Sequence, residues 1–284
     1  MPVEPPVVSP TSLAEAVALA GSGHRPLAGG TDLLVQITGE IGQPPDAVVD
    51  LWRLDELRGI AVHDVTLELG ALTTYTQIRH SALCAEHVPA LVEAAATIGA
   101  AQIQNRGTLG GNVMNASPAG DTLPVLLALD AELVAGGAAG ERSIPATGFW
   151  PEYRRTAVRP DELLLRIRIP IVAGRQQRFR KVGTRRAQAI SKVVLALAWS
   201  EEPGTRVWRD VRLALGSVAA TPIRASAAES ALEGAAPDAE TAERAVAALV
   251  AELEPIDDVR STAAYRRAVA GRVLHRLLRD AGGW

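Results

Sequence analysis

Cysteine is almost absent: Cys84 stands alone among 284 residues. That excludes a disulfide within the chain, an iron–sulfur cluster of its own and a cysteine-based zinc site; Cys84 reads as a small buried hydrophobe. The five histidines, at positions 24, 63, 80, 87 and 275, show no metal-ligand spacing, and His80 and His87 read as surface or helix-end residues. No apolar run approaches the roughly 18 residues a membrane helix needs, so no span is expected. The start, MPVEPPVVSP, has neither a basic nor an apolar leader region, which makes the cytoplasm the default expectation. A GxxxxGK(S/T) loop is missing, Gly21-Ser22-Gly23 lacks the third glycine of a dinucleotide fingerprint, and no GxSxG turn occurs. A formal net charge of -3 excludes a generally basic nucleic-acid binder. Glu201-Glu202 and Asp257-Asp258 sit near prolines and read as solvated loop charges rather than paired catalysts.

What remains is an ordinary globular composition, 48% apolar and 21% charged, in a chain long enough for two cored domains. It is organised around residues 105–133, NRGTLGGNVMNASPAGDTLPVLLALDAEL. A glycine-rich turn, Gly107 to Asn112, is followed by a small, polar stretch and then by an apolar helical run. Paired glycines let a backbone take positive φ and bring its N–H groups close to a ligand. Thr108, Asn112, Asn115, Ser117 and Asp121 are short polar groups suited to hydroxyls or phosphates. The plain alternative is a tight loop with capping residues, Asp121 serving as an N-cap. A second such turn, LAGGTDLL at residues 27–34, shifts the balance, because two glycine turns suit a ligand with two phosphates.

Around these turns the pattern predicts a helix over 12–20 and a strand over 25–28 running into Gly29-Gly30. Thr31 or Asp32 then caps a helix over 33–38, which presents free N–H donors to an anion. A strand over 47–51 completes a small α/β lobe. Strands over 60–62 and 66–69, a short helix from Thr74, a helix over 88–98, a connector over 99–105, a helix over 121–129 and strands over 132–135 and 163–169 follow. Val172-Ala173-Gly174 marks the domain boundary. Beyond it, 179–182, 194–200 and 207–215 read as an antiparallel sheet, and 225–232, 239–253 and 262–279 as helices. The basic run Arg178, Arg180, Lys181, Arg185, Arg186 is either a solvated sheet edge or the setting for Lys181 as a fixed cation beside a reducible ring.

AGGTDLL and TLGGNVMNASPAGD resemble the two FAD-binding loops of the flavoprotein (medium) subunit of the molybdenum hydroxylases, the carbon monoxide, xanthine and nicotinate dehydrogenase type, with a flavin fold of the vanillyl-alcohol-oxidase (PCMH) type. FRKVGTRRAQAISKV at 179–193 and STAAYRRAVAGRVLHRLL at 261–278 resemble the first part and the closing helix of that family's C-terminal domain, so the likeness covers essentially the whole chain. It implies an α+β fold: an FAD-binding domain at 1–173, in lobes of about 1–55 and 56–173, then a C-terminal flavoprotein domain at 174–284. It implies non-covalent FAD, with Leu27, Ala28, Gly29, Gly30, Thr31, Asp32 and Leu33 on one side. Thr108, Gly110, Gly111, Asn112 and Ser117 stand on the other. Asp121 would hold a flavin hydroxyl as a charge-assisted acceptor, and Ile98, Leu165 and Lys181 complete the set. Ile98 stands where relatives place a larger side chain, and near Ala189-Ile190 the tyrosine that some members set beside the ring is lacking. One branch of the family carries an iron–sulfur cluster in this subunit, which a chain with one cysteine cannot do.

The resemblance further implies an oxidoreductase subunit that passes electrons through FAD to NAD, a quinone or dioxygen. A large subunit would hold molybdopterin and a small one two 2Fe–2S clusters, assembled as a dimer of heterotrimers. A self-sufficient flavin oxidase or reductase and a non-catalytic nucleotide-binding assembly protein are the rival readings.

Overall fold

The structure, a computed structural model, describes residues 4–185 and 188–284. Arg186 of the basic run and the first three residues of the start lie outside the described residues. Three sheets organise the chain. The first is parallel, with β1 (Val7–Val8), β2 (Arg25–Leu27) and β3 (Val48–Asp50) in the order β1-β3-β2. Its crossover helix α1 (Leu13–Gly21) starts where Ser12 accepts a hydrogen bond from the Glu15 N–H, and α2 (Leu33–Thr38) follows β2. Ala16, Ala20, Val49 and Leu51 close a small core beneath it with Leu163 and Leu165.

The second sheet is antiparallel, in the order β4-β5-β8-β6-β7: β4 (Ile60–His63), β5 (Thr66–Gly70), β6 (Glu132–Gly137), β7 (Gly140–Pro145) and β8 (Glu162–Pro170). Six helices lie between β5 and β6 in the chain: α3 (Tyr75–His80), α4 (Ala82–His87), α5 (Pro89–Thr97), α6 (Ala101–Arg106), α7 (Leu109–Asn115) and α8 (Leu123–Ala128). A reciprocal capping box of Thr74 and Gln77 starts α3. Strand β7 and helix α6 differ from the sequence expectation. Helix α6 replaces the expected connector and has no side-chain cap at Ala100, so its start left no local signal.

The third sheet, β12-β11-β10-β9, is antiparallel: β9 (Gln176–Val182), β10 (Val193–Glu201), β11 (Trp208–Gly216) and β12 (Ile223–Arg224). Successive side chains on a strand point to opposite faces, and β10 uses both. Val194, Ala196 and Ala198 join the central core with α5 and α8, while Val193, Leu195, Leu197 and Trp199 join a second core. Helices α9 (Ser226–Leu232), α10 (Ala239–Glu252) and α11 (Ala263–Gly282) cover that second core. No helix among the described residues is long and apolar enough to cross a membrane. Cys84 is fully buried in the central core, as a hydrophobe would be.

Candidate functional site

The two glycine turns meet face to face. Gly29 lies so close to the end of α6 that a Cβ on it would stand 1.8 Å from the Arg106 carbonyl oxygen. Gly30, with φ +78°, occupies the left-handed region that an L side chain resists. Among the described residues, no protein acceptor takes the backbone N–H groups of Gly29, Gly30, Thr31 or Asp32. Asp32 stands at the N-cap position of α2 but makes no capping bond; its carboxylate instead accepts from Asn115 Nδ2 at 2.9 Å. The Asn115 amide oxygen in turn accepts from Arg154 at 3.1 Å.

The second turn is built differently from the expectation. Gly110 and Gly111 are not in an open loop with positive φ; they form the first turn of α7. Their N–H groups are already bonded, Gly110 to the Ala71 carbonyl (2.9 Å) and Gly111 to the Thr108 hydroxyl (3.0 Å). Leu109 N–H bonds to Thr73 O at 2.9 Å, and Asn112 N–H to Thr108 O at 3.1 Å. Glycine is needed here for close approach: a Cβ on Gly110 would meet the Ala71 carbonyl oxygen at 2.6 Å. On Gly111 it would meet only the Thr108 hydroxyl, at 2.8 Å. Helix α7 ends at Ala116, a non-glycine residue at φ +49°, where the chain reverses toward Asp121; a left-handed conformation there costs about 1–2 kcal/mol.

Two cavities share a wall across this junction. The first, about 180 Å³, is lined by the whole of the 27–33 segment together with Thr108, Gly110, Gly111 and Asn112. The second, about 560 Å³, runs past Ile98, Ser117 and Asp121 to Lys181 and reaches Ser191, Ser217 and Arg266 of the C-terminal part. Thr31, Asp32, Tyr75, Asn112 and Asn115 line both. Leu165 lines neither: its side chain is buried in the small core and its carbonyl accepts from Ala71 N–H, although Leu163 and Leu164 reach the first cavity.

At the far end, Lys181 Nζ donates to Asp121 Oδ2 at 2.5 Å and to the Thr97 carbonyl at 3.2 Å. Ser191 Oγ donates to the other Asp121 oxygen at 2.9 Å. Both charged side chains are at least nine-tenths buried. Burial pushes the Asp121 carboxyl above the ordinary range, with the Lys181 charge opposing that shift. Asp121 does not cap α8; Thr122 holds that position, so its oxygens are committed to the cavity wall. Strand alternation separates Lys181 from the rest of the basic run. It shares the inward face of edge strand β9 with Gln177 and Phe179, while Arg178 and Arg180 face outward, as a solvated edge requires. Arg185 is held in a turn by the Gln188 carbonyl.

The FAD binding domain in molybdopterin dehydrogenase matches residues 2–172 of this chain, and the CO dehydrogenase flavoprotein C-terminal domain matches residues 178–281. The chain belongs to the FAD subunits of the molybdenum hydroxylases. The medium chain of carbon monoxide dehydrogenase from Hydrogenophaga pseudoflava is 34% identical over 281 residues, which is 96% of this chain and 95% of that one. The nicotinate dehydrogenase FAD-subunit of Eubacterium barkeri is 32% identical over 259 residues, 89% and 86% of the two chains. A solved structure of carbon monoxide dehydrogenase from Hydrogenophaga pseudoflava, in a form lacking the Mo-pyranopterin moiety of the molybdenum cofactor, superposes with a TM-score of 0.92 at 33% identity. That match covers 97% of this chain and 96% of the other.

The cofactor of such a subunit is FAD, and the groove fits it. Free N–H donors on the first turn suit a diphosphate, the Gly111 surface is left open by the missing Cβ, and a buried Lys181–Asp121 ion pair stands at the far end. Sequence reasoning missed Tyr75, Arg154 and Ser191 in this FAD subunit. The capping-box spacing from Thr74 to Gln77 was a usable signal for Tyr75. Arg154 and Ser191 reach the groove by tertiary packing alone, with no local signature.

Proposed function

We propose that this chain is the electron-transfer subunit of a three-subunit molybdenum hydroxylase. It relays electrons from 2Fe–2S clusters in a small partner subunit, through FAD, to an external acceptor such as NAD, a quinone or dioxygen. A large partner subunit holds molybdopterin and oxidises the organic substrate, and the assembly is a dimer of heterotrimers in the cytoplasm. Residues 1–173 form the FAD-binding domain and 174–284 the C-terminal flavoprotein domain. The observation that carries this reading is the juxtaposition, along one groove, of unbonded N–H donors at residues 29–32 and the buried Lys181–Asp121 pair.

FAD, when bound, supplies the conversion between one-electron and two-electron transfer. The first turn and Asn112 hold the diphosphate; Asp121 holds a hydroxyl, with Lys181 and Ser191 fixing its carboxylate. Lys181 offers positive charge at the ring end, where a fixed cation stabilises an electron-rich ring. Ile98 and Ser117 line the same end. No histidine or cysteine lines either cavity among the described residues, so acid precipitation should release all the flavin into the supernatant. The test of the subunit reading is anaerobic loss of flavin absorbance on adding a purine, aldehyde, N-heterocycle or carbon monoxide. It should occur only in the reconstituted complex. Bleaching of the isolated chain by a small organic substrate would favour a self-sufficient enzyme instead.

A further inference from the structure

The phenol of Tyr75 stands on the wall common to both cavities, where neither it nor the Thr31 hydroxyl has a hydrogen-bond partner among the described residues. Tyr75 is 3% exposed. Its position is fixed from three sides. Thr74 forms a bridge with Thr108, the Tyr75 N–H bonds to the Gly107 carbonyl at 3.3 Å, and the ring lies against Gly107, where a Cβ would meet Tyr75 Cε2 at 2.8 Å. Yet the hydroxyl makes no hydrogen bond among the described residues, while it borders both cavities. Both neighbouring carboxylates are committed elsewhere, Asp32 to Asn115 and Asp121 to Lys181 and Ser191. The hydroxyl is not among the fully enclosed side-chain atoms that lack a partner, so it opens onto the cavities that Tyr75 lines.

We propose that Tyr75 donates its hydroxyl hydrogen bond to the diphosphate of FAD, beside the N–H groups of the first glycine turn. Thr31 and Asp32, which carry two of those N–H groups, line the same shared wall, so an anion held by them lies beside the phenol. The group is suited to donate and unsuited to ionise. Burial, reinforced by the negative charges of Asp32 and Asp121, pushes the phenol far above its ordinary range, so it keeps its proton. The proposal rests on the placement of FAD argued above.

The test uses the full chain freed of flavin, as wild type and as Tyr75→Phe. FAD binding is read by fluorescence, and ADP, which has the diphosphate without the ribityl chain and ring, by calorimetry. A lost hydrogen bond to a charged acceptor should weaken both about tenfold to a hundredfold. The melting temperature of the flavin-free protein should stay the same, because the hydroxyl bonds nothing in the protein. Unchanged FAD affinity would overturn the assignment. So would weakened FAD with unchanged ADP, which would move the contact to the ribityl chain, and so would a lower melting temperature of the flavin-free variant, which would make the role structural. Gly111→Val is measured in parallel: FAD retained there unseats the placement of FAD itself, whereas FAD lost there but kept in Tyr75→Phe unseats only the role of the phenol.

Discussion

The two glycine turns look alike in the sequence and do opposite things in the structure. In the first, Gly30 takes positive φ and the N–H groups of residues 29–32 are left without protein acceptors. In the second, Gly110 and Gly111 are helical and every N–H from Leu109 to Asn112 is already bonded. The first turn is therefore a donor cradle, and the second is a close-packed support whose glycines remove bulk. A repeated Gly-Gly pair says that backbone must come near something; it does not say whether that is a ligand or another stretch of chain.

Substitution at single glycines separates the two roles. Gly29→Ala should have the largest effect, since its Cβ would collide with the Arg106 backbone carbonyl rather than with a movable side chain. A loss of about 3 kcal/mol or more is expected in urea unfolding, at the upper end of overpacking effects; a near-neutral result would mean that the turns slide apart freely. Gly110→Val meets the Ala71 backbone in the same way and should also unfold the domain, in contrast to a loop glycine. Gly30→Ala should cost less, about 1–2 kcal/mol for the left-handed backbone, because its steric neighbour is the flexible end of the exposed Leu34. Gly111→Val should leave stability within about 1 kcal/mol, with the better helix propensity offsetting a strained Thr108 cap, while flavin content falls to near zero. A full complement of FAD in that variant would refute a cofactor role for this surface.

The smallest effect concerns pH. The folded state raises the Asp121 pKa, so it binds a proton more tightly than the unfolded chain does. Such a group favours the folded state below the unfolded value, about 3.9, and that contribution is lost as pH rises through the folded one. Asp121→Asn lacks this dependence. Wild type should therefore lose stability relative to the variant as pH rises above about 3.9, measured by paired urea titrations. A difference that stays flat or reverses would mean that Lys181 outweighs burial.

Much of this was legible beforehand because it is local. Period-two alternation located β8, and the N-cap of α1 was readable at Thr11 or Ser12, of which Ser12 holds it. Asp121 and Lys181 were singled out separately, although nothing in the sequence states that they touch across 60 residues. The helical state of the second glycine turn was not legible, because glycine is a poor helix former and only the Thr108 cap and the packing on Ala71 and Thr73 make it helical. Nor was the orientation of Asp258. Read as a solvated loop charge, it instead accepts from the buried Arg266 at 2.7 Å, a pairing that requires α11 to be in place.

The two-faced character of β10 bears on how the molecule comes apart. One face completes the central core and the other completes the core beneath α9 to α11, so neither half keeps an intact interior once that strand leaves. Lys181, on the neighbouring strand β9, and Ser191, just ahead of β10, hold Asp121 across the groove. Melting should thus proceed as one cooperative event, and release of bound flavin should coincide with it rather than precede it.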